Sequence, residues 1–126
     1  MPIALRIIAA LPGALFLIMG LNWAINPAGA ADSLGMALLD GVARSTQIGD
    51  IGAFFIGLGS MIILGVITLH KQWFYAASLL LGCAALLRIL AWAAHGAPFT
   101  ADAIVVEVLA TVLMLVAASR CAAPRL

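Results

Sequence analysis

"IGAFFIGLGSMIILGVITL", residues 51–69, carries no charged side chain. The hydrocarbon core of a bilayer is about 30 Å thick and takes about 20 residues of helix to cross, so a charge-free apolar run of about 18 or more marks a span. Ile7 to Ala31 forms a second such run. Outward from these two, the whole chain has the same character, with 66% hydrophobic and only 9% charged residues, against roughly 25% charged in an ordinary soluble domain. Too little polar surface remains to clothe a water-soluble core. The expected fold is all-α, a polytopic membrane protein in which residues 1–126 form a single four-transmembrane-helix bundle. Its helices are expected at about 5–25, 46–69, 72–94 and 101–118, with a short interfacial helix in the first outer loop.

Since the spans use up nearly all of the chain, chemistry has to sit within them or on their short connections. A net charge of +1 gives no basic tract for nucleic acid, so no nucleic-acid partner is expected. Cys83 and Cys121 have neither paired nor metal-ligand spacing, and His70 and His95 fall at opposite ends of the spans, so no metal or cofactor is expected. The opening "MPIALR", with its apolar run and Ala28-Gly29-Ala30, has the outline of a signal peptide. The apolar run exceeds the usual ~7–15 residues, and it is read as a retained first helix.

Lysine and arginine outside the spans set orientation. Arg6, His70-Lys71, Arg120 and Arg125 fall on one side, and Asp32, Asp40, Arg44, His95 and Asp102 on the other. Both termini are therefore expected in the cytoplasm. In the first outer connection, Leu34, Leu38 and Val42 have helical spacing and suit a helix lying on the interface. Trp73, Phe74 and Tyr75, with Trp23 and Trp92 at the other end, fall where aromatic belts anchor spans.

At ~1.5 Å per residue, Asp50 lies roughly 7 Å, Glu107 roughly 9 Å and Arg88 roughly 10 Å from the outer ends of their helices, with Asn22 near the end of the first. Unpaired charges at such depths are costly, which predicts that Asp50, Arg88 and Glu107 turn inward, the guanidinium serving both carboxylates. Arg88, Trp92 and His95 fall within about 60° of one another on the third helix. Gly49, Ala53 and Gly57 form a small-residue ribbon beside Asp50 on which another helix could pack closely. "LNWAINPAGAAD" (21–32) and "LAWAAHGAPFTAD" (90–102) also share enough to suggest that helices one and two are repeated as three and four.

The motifs "IGDIGAFFIGLGS", "LLRILAWAAHG" and "VVEVLA" resemble those of a family of small four-helix bacterial membrane proteins, a domain of unknown function similar in plan to the DoxX-like proteins. The resemblance covers most of residues 5–118 and implies a bacterial inner-membrane protein in which Arg88 and Glu107 matter, without implying a reaction. In that family an arginine often precedes the first glycine of the second span. Ile48 stands there in this chain, so Asp50 is a departure from the pattern.

The functional expectation is a buried Asp50/Arg88/Glu107 pocket open to the periplasmic side and binding a lipophilic small molecule or a membrane partner. Asn22, Trp23, Gln47, Phe54, Trp92 and His95 would be its further ligand-binding residues. Membrane lipid, a homo-oligomer or another membrane protein are the partners that such a surface suits. Two carboxylates beside an arginine can also divide general acid and base roles, so Asp50, Arg88 and Glu107 are candidate catalytic residues of an intramembrane enzyme acting on an isoprenoid, sterol-like or epoxide substrate. A small oligomeric transporter is the third reading. A buried ion pair that only fixes helix packing stands against all three.

Overall fold

A computed structural model describes residues 1–121 of the chain. Arg125, one of the residues used above for orientation, lies outside them. The first span is α1, Ile3–Ile25. A short α2, Pro27–Ser33, follows at once: the Asn26 side chain caps it by accepting from Gly29 N, and Pro27 supplies a first residue that needs no partner for an N–H. The second span runs from α3, Val42–Thr46, through a π-helical turn, Gln47–Ile51, into α4, Gly52–Thr68. It begins earlier than the expected residue 46. Leu69, in the left-handed region at φ 58°, and His70 make the tight turn into α5, Lys71–Ala94, and α6, Ala101–Ser119, completes the described chain. Among the described residues the fold is all-α, with four helices long and apolar enough to cross a membrane.

The short helix expected in the first connection is present as α2, but it ends at Ser33 and does not run through Leu34, Leu38 and Val42. Residues 34–41 turn at Gly35 (φ 73°), run without helical bonding and turn again at Gly41 (φ 62°). The apolar spacing reflects something else: Leu34, Met36 and Leu38 drop onto the buried Trp23, Ala30 and Ala31. Trp23 is accordingly 1% exposed, a core residue beneath the loop and not an interfacial anchor. Trp92 is 51% exposed, so the two tryptophans of the suspected repeat sit in different surroundings. Phe74 is likewise fully buried, leaving Tyr75 the exposed aromatic of that triplet.

The bundle is made of two tight pairs, α1 with α4 and α5 with α6, joined along a thinner seam. In α1 and α4 the pairing is a backbone approach. A Cβ placed on Gly20 would lie 2.6 Å from Ile56 N, and one on Gly59 would lie 2.6 Å from Leu17 N and 2.7 Å from Gly13 O. Such small-residue crossings drive association in lipid, where apolar side chains gain nothing by leaving one apolar medium for another. The ribbon used is thus Gly52 and Gly59 on α4 against Gly13 and Gly20 on α1. The expected ribbon faces away: Cβ atoms on Gly49 and Gly57 would meet nothing within 4 Å, and Ala53 is exposed.

The end with the N-terminus is knitted firmly. Arg6 Nη2 donates to Val66 O (2.8 Å), placing a cation on the last turn of α4, where the helix dipole favours it. The core there takes side chains from all four spans, including Ala9, Ile62, Phe74, Leu81 and Met114. Burial pushes the Cys121 thiol above its ordinary pKa, opposed in part by the nearby N-terminus and Lys71, which puts the end of α6 at this same end.

Gly59→Ala should lower the thermal midpoint in detergent by the equivalent of about 1–3 kcal/mol, as overpacking into backbone does, whereas Gly57→Ala should leave it unchanged or slightly raised. Circular dichroism melts of the two variants check this, and equal effects would refute the assignment of the packed ribbon.

Candidate functional site

At the loop end the bundle opens. On α5 the buried face runs through Phe74, Ala77, Ser78, Leu81 and Ala85. The same spacing continues to Arg88, which is half-buried, and on to Trp92 and His95, which are exposed. The stripe foreseen on α5 is real, but its outer part has lost its neighbour. Trp92 packs edge to face on Phe99 of the following connection (centroids 5.0 Å apart). His95 closes the helix through its backbone, its N–H bonding to Ala91 O (3.1 Å) ahead of Gly96 at φ 69°.

On α6 Glu107 lies on the inner face, between the buried Ile104 and Ala110. Arg88 Nε donates to Glu107 Oε1 at 2.8 Å. The other carboxylate oxygen, Oε2, is shut from solvent and has no partner. Among the described residues nothing accepts from the two Nη nitrogens of Arg88.

Asp50 does not join this pair. It sits in the π-helical turn, exposed, and makes no hydrogen bond or ion pair with Arg88 or Glu107. No charged side chain is buried among the described residues, and the Arg88–Glu107 pair is only half-buried, its side chains 39% and 14% exposed. The expected buried Asp50/Arg88/Glu107 pocket is therefore absent, and the functional readings built on it lose their basis. The cause is the seam: α4 and α5 part toward this end, so residues at equal depth border an opening and are not enclosed by one.

Two openings with shared walls lie there. The larger, about 380 Å³, is between α4 and α5 and is lined by Asp50, Phe54 and Phe55 on one side and Ala84, Arg88 and Glu107 on the other. The smaller, about 220 Å³, reaches inward past Phe16, Met19 and Phe55 to Asp102 and Glu107. Arg88, Glu107, Phe55 and Leu34 border both. Phe16 and Phe55 stack across α1 and α4 (6.0 Å), and Phe54 meets Phe55 edge to face (5.2 Å).

Leu34 and Met36 roof the larger opening, and Gln47 holds that roof. Its Oε1 accepts from Leu39 N (2.8 Å) and its Nε2 donates to Ala37 O (3.0 Å), so this 4%-exposed amide is committed to the loop. Asn22 is half-buried and borders neither opening. Of the expected ligand-binding residues, Phe54 alone lines the larger one. Leu34, Met36, Phe55 and Asp102 are wall residues that were not among the expected ligand-binding ones. Leu34 and Met36 flank the left-handed turn at Gly35, and Asp102 lies in the first turn of α6, before Glu107. Among the described residues no group of three His, Cys, Asp or Glu side chains gathers to hold a metal.

The chain matches no protein-family model, no curated protein and no solved structure.

Arg88→Met should lower the thermal midpoint by the equivalent of about 1–2 kcal/mol, because it leaves the Glu107 carboxylate without its donor. Adding Glu107→Leu in the same chain should restore most of the loss. A double-mutant cycle followed by thermal melts checks this coupling.

Proposed function

We propose that this protein holds a bilayer lipid in the seam between α4 and α5, with an acyl chain in the larger opening and the polar head against Arg88. The observation that carries this reading is the combination of an apolar, half-open cleft of about 380 Å³ with a guanidinium whose Nη donors are uncommitted. Small-molecule sites run from about 300 to 1,000 Å³, and a helix with its side chains is ~10–12 Å across, so the space suits a chain and not another span. An arginine fork is matched to the paired oxygens of a phosphate, and a long basic side chain near a helix end reaches naturally toward head groups. The reading needs no buried charge: it uses the exposed flank of a half-buried pair, from the lipid side.

Orientation follows the basic residues. Arg6, Lys71 and Arg120 gather at the end that carries the N-terminus, and the loops with Asp32, Asp40 and Asp102 at the other. By the positive-inside rule both termini are cytoplasmic and the cleft opens to the outer leaflet of a bacterial inner membrane. A fluorescent-protein fusion at the C-terminus should glow, and an alkaline phosphatase fusion there should be inactive. The reverse pattern would refute this orientation.

Ala84→Phe tests the lipid reading, because residue 84 borders the larger opening without belonging to the ion pair. In native mass spectrometry from mild detergent, the wild-type protein should carry one phospholipid per chain, and the variant should retain about a tenth as much or less at an unchanged thermal midpoint. Equal retention by the two proteins would overturn the proposal.

A further inference from the structure

The charges around the cleft select among head groups. Asp50 faces Arg88 across the larger opening without touching it, Glu107 is already engaged by Arg88, and Asp102 adds another acid on the smaller opening. One arginine thus serves a region that holds three carboxylates. A purely anionic head would gain Arg88 but would lie between Asp50 and Asp102. An uncharged head would leave Asp50 without a counter-charge inside a span, an arrangement that costs free energy even short of the bilayer centre.

We infer that, given the lipid reading above, the bound lipid is a zwitterionic phospholipid with a primary ammonium, its phosphate on the Arg88 Nη atoms and its ammonium on Asp50. Such a head carries its two charges in the order that the cleft walls present, an anion toward α5 and a cation toward α4. Its N–H donors give the Asp50 carboxylate hydrogen bonds as well as charge, which a quaternary ammonium lacks. The same pairing accounts for an acid in the π-helical turn of a span with no ion-pair partner among the described residues. π-turns place residues where a regular helix would not and recur at functional sites.

The test is competition among lipids of identical acyl chains, with ethanolamine, glycerol or choline phosphate heads, added to the detergent-purified full-length protein and read by native mass spectrometry. The ethanolamine lipid should be retained about tenfold over the other two, the ratio expected of one charge-assisted hydrogen bond. Asp50→Asn should abolish that preference by lowering retention of the ethanolamine lipid about tenfold, to the level of the other two. A preference for the glycerol lipid, equal retention of the choline lipid, or an ethanolamine preference unchanged in Asp50→Asn would each overturn the inference while the lipid reading stands. If no lipid is retained by the wild type, or if Ala84→Phe retains as much as wild type, the lipid reading itself fails.

Discussion

The approach of α1 to α4 at Gly13, Gly20, Gly52 and Gly59 is the constraint from which the remaining architecture follows. In a bilayer there is no hydrophobic force between helices, so spans adhere where backbones come close enough for dispersion contacts to accumulate. Here the glycines of the chain's first two spans concentrate that gain in one pair. The α5–α6 pair has its own small residues, Ala77, Ala85, Ala110 and Ala117, all buried. Between the pairs the seam depends on larger side chains. At the N-terminal end Leu58, Ile62, Phe74 and Met114 fill it completely. Toward the loops Arg88 and Glu107 stand where further apolar side chains would close it, and the cleft is what remains.

The apolar runs made the number of spans and the fold class legible, because a charge-free stretch of this length has one stable environment. The packed face of the second span was not legible. Gly49, Ala53 and Gly57 and the nearby Gly52 and Gly59 are both plausible ribbons, a few residues out of register. The approach of α1 decides between them: Gly52 and Gly59 meet it, whereas Gly49 and Gly57 meet nothing. Which face a partner helix takes leaves no mark in residue spacing. Trp23 illustrates the same limit: its position near a span end suggested an anchor, and only the folding back of residues 34–38 makes it core.

Depth arithmetic put Asp50, Arg88 and Glu107 in one layer, and all three do line one opening. It could not say whether the layer was enclosed. Enclosure depends on the azimuth of each side chain and on the separation of the helices, neither of which is encoded in distance along a span. Arg88 and Glu107 meet because their helices are the tightly packed pair α5 and α6; Asp50 remains apart because α4 lies across the thin seam. The same division explains why the Gln47 amide, one turn before Asp50, serves the loop and not the charged pair.

Exposure has a different meaning in this setting from the one it has in water. A half-exposed ion pair on a soluble protein is worth about 0–1 kcal/mol because water screens it, and nothing further needs to be satisfied. Within a span, the uncovered flank of Arg88 faces hydrocarbon or head groups, and its donors, uncommitted among the described residues, call for polar atoms. Asp50 stands under the same requirement on the opposite wall. The roof residues Leu34 and Met36, fixed through Gln47 to the turn that carries Asp50, limit how much water can enter from the loop side. On the proposed lipid reading, what the open flank can recruit is therefore governed by the bilayer, and the charges left unpaired among the described residues set the chemistry of a molecule that would sit there.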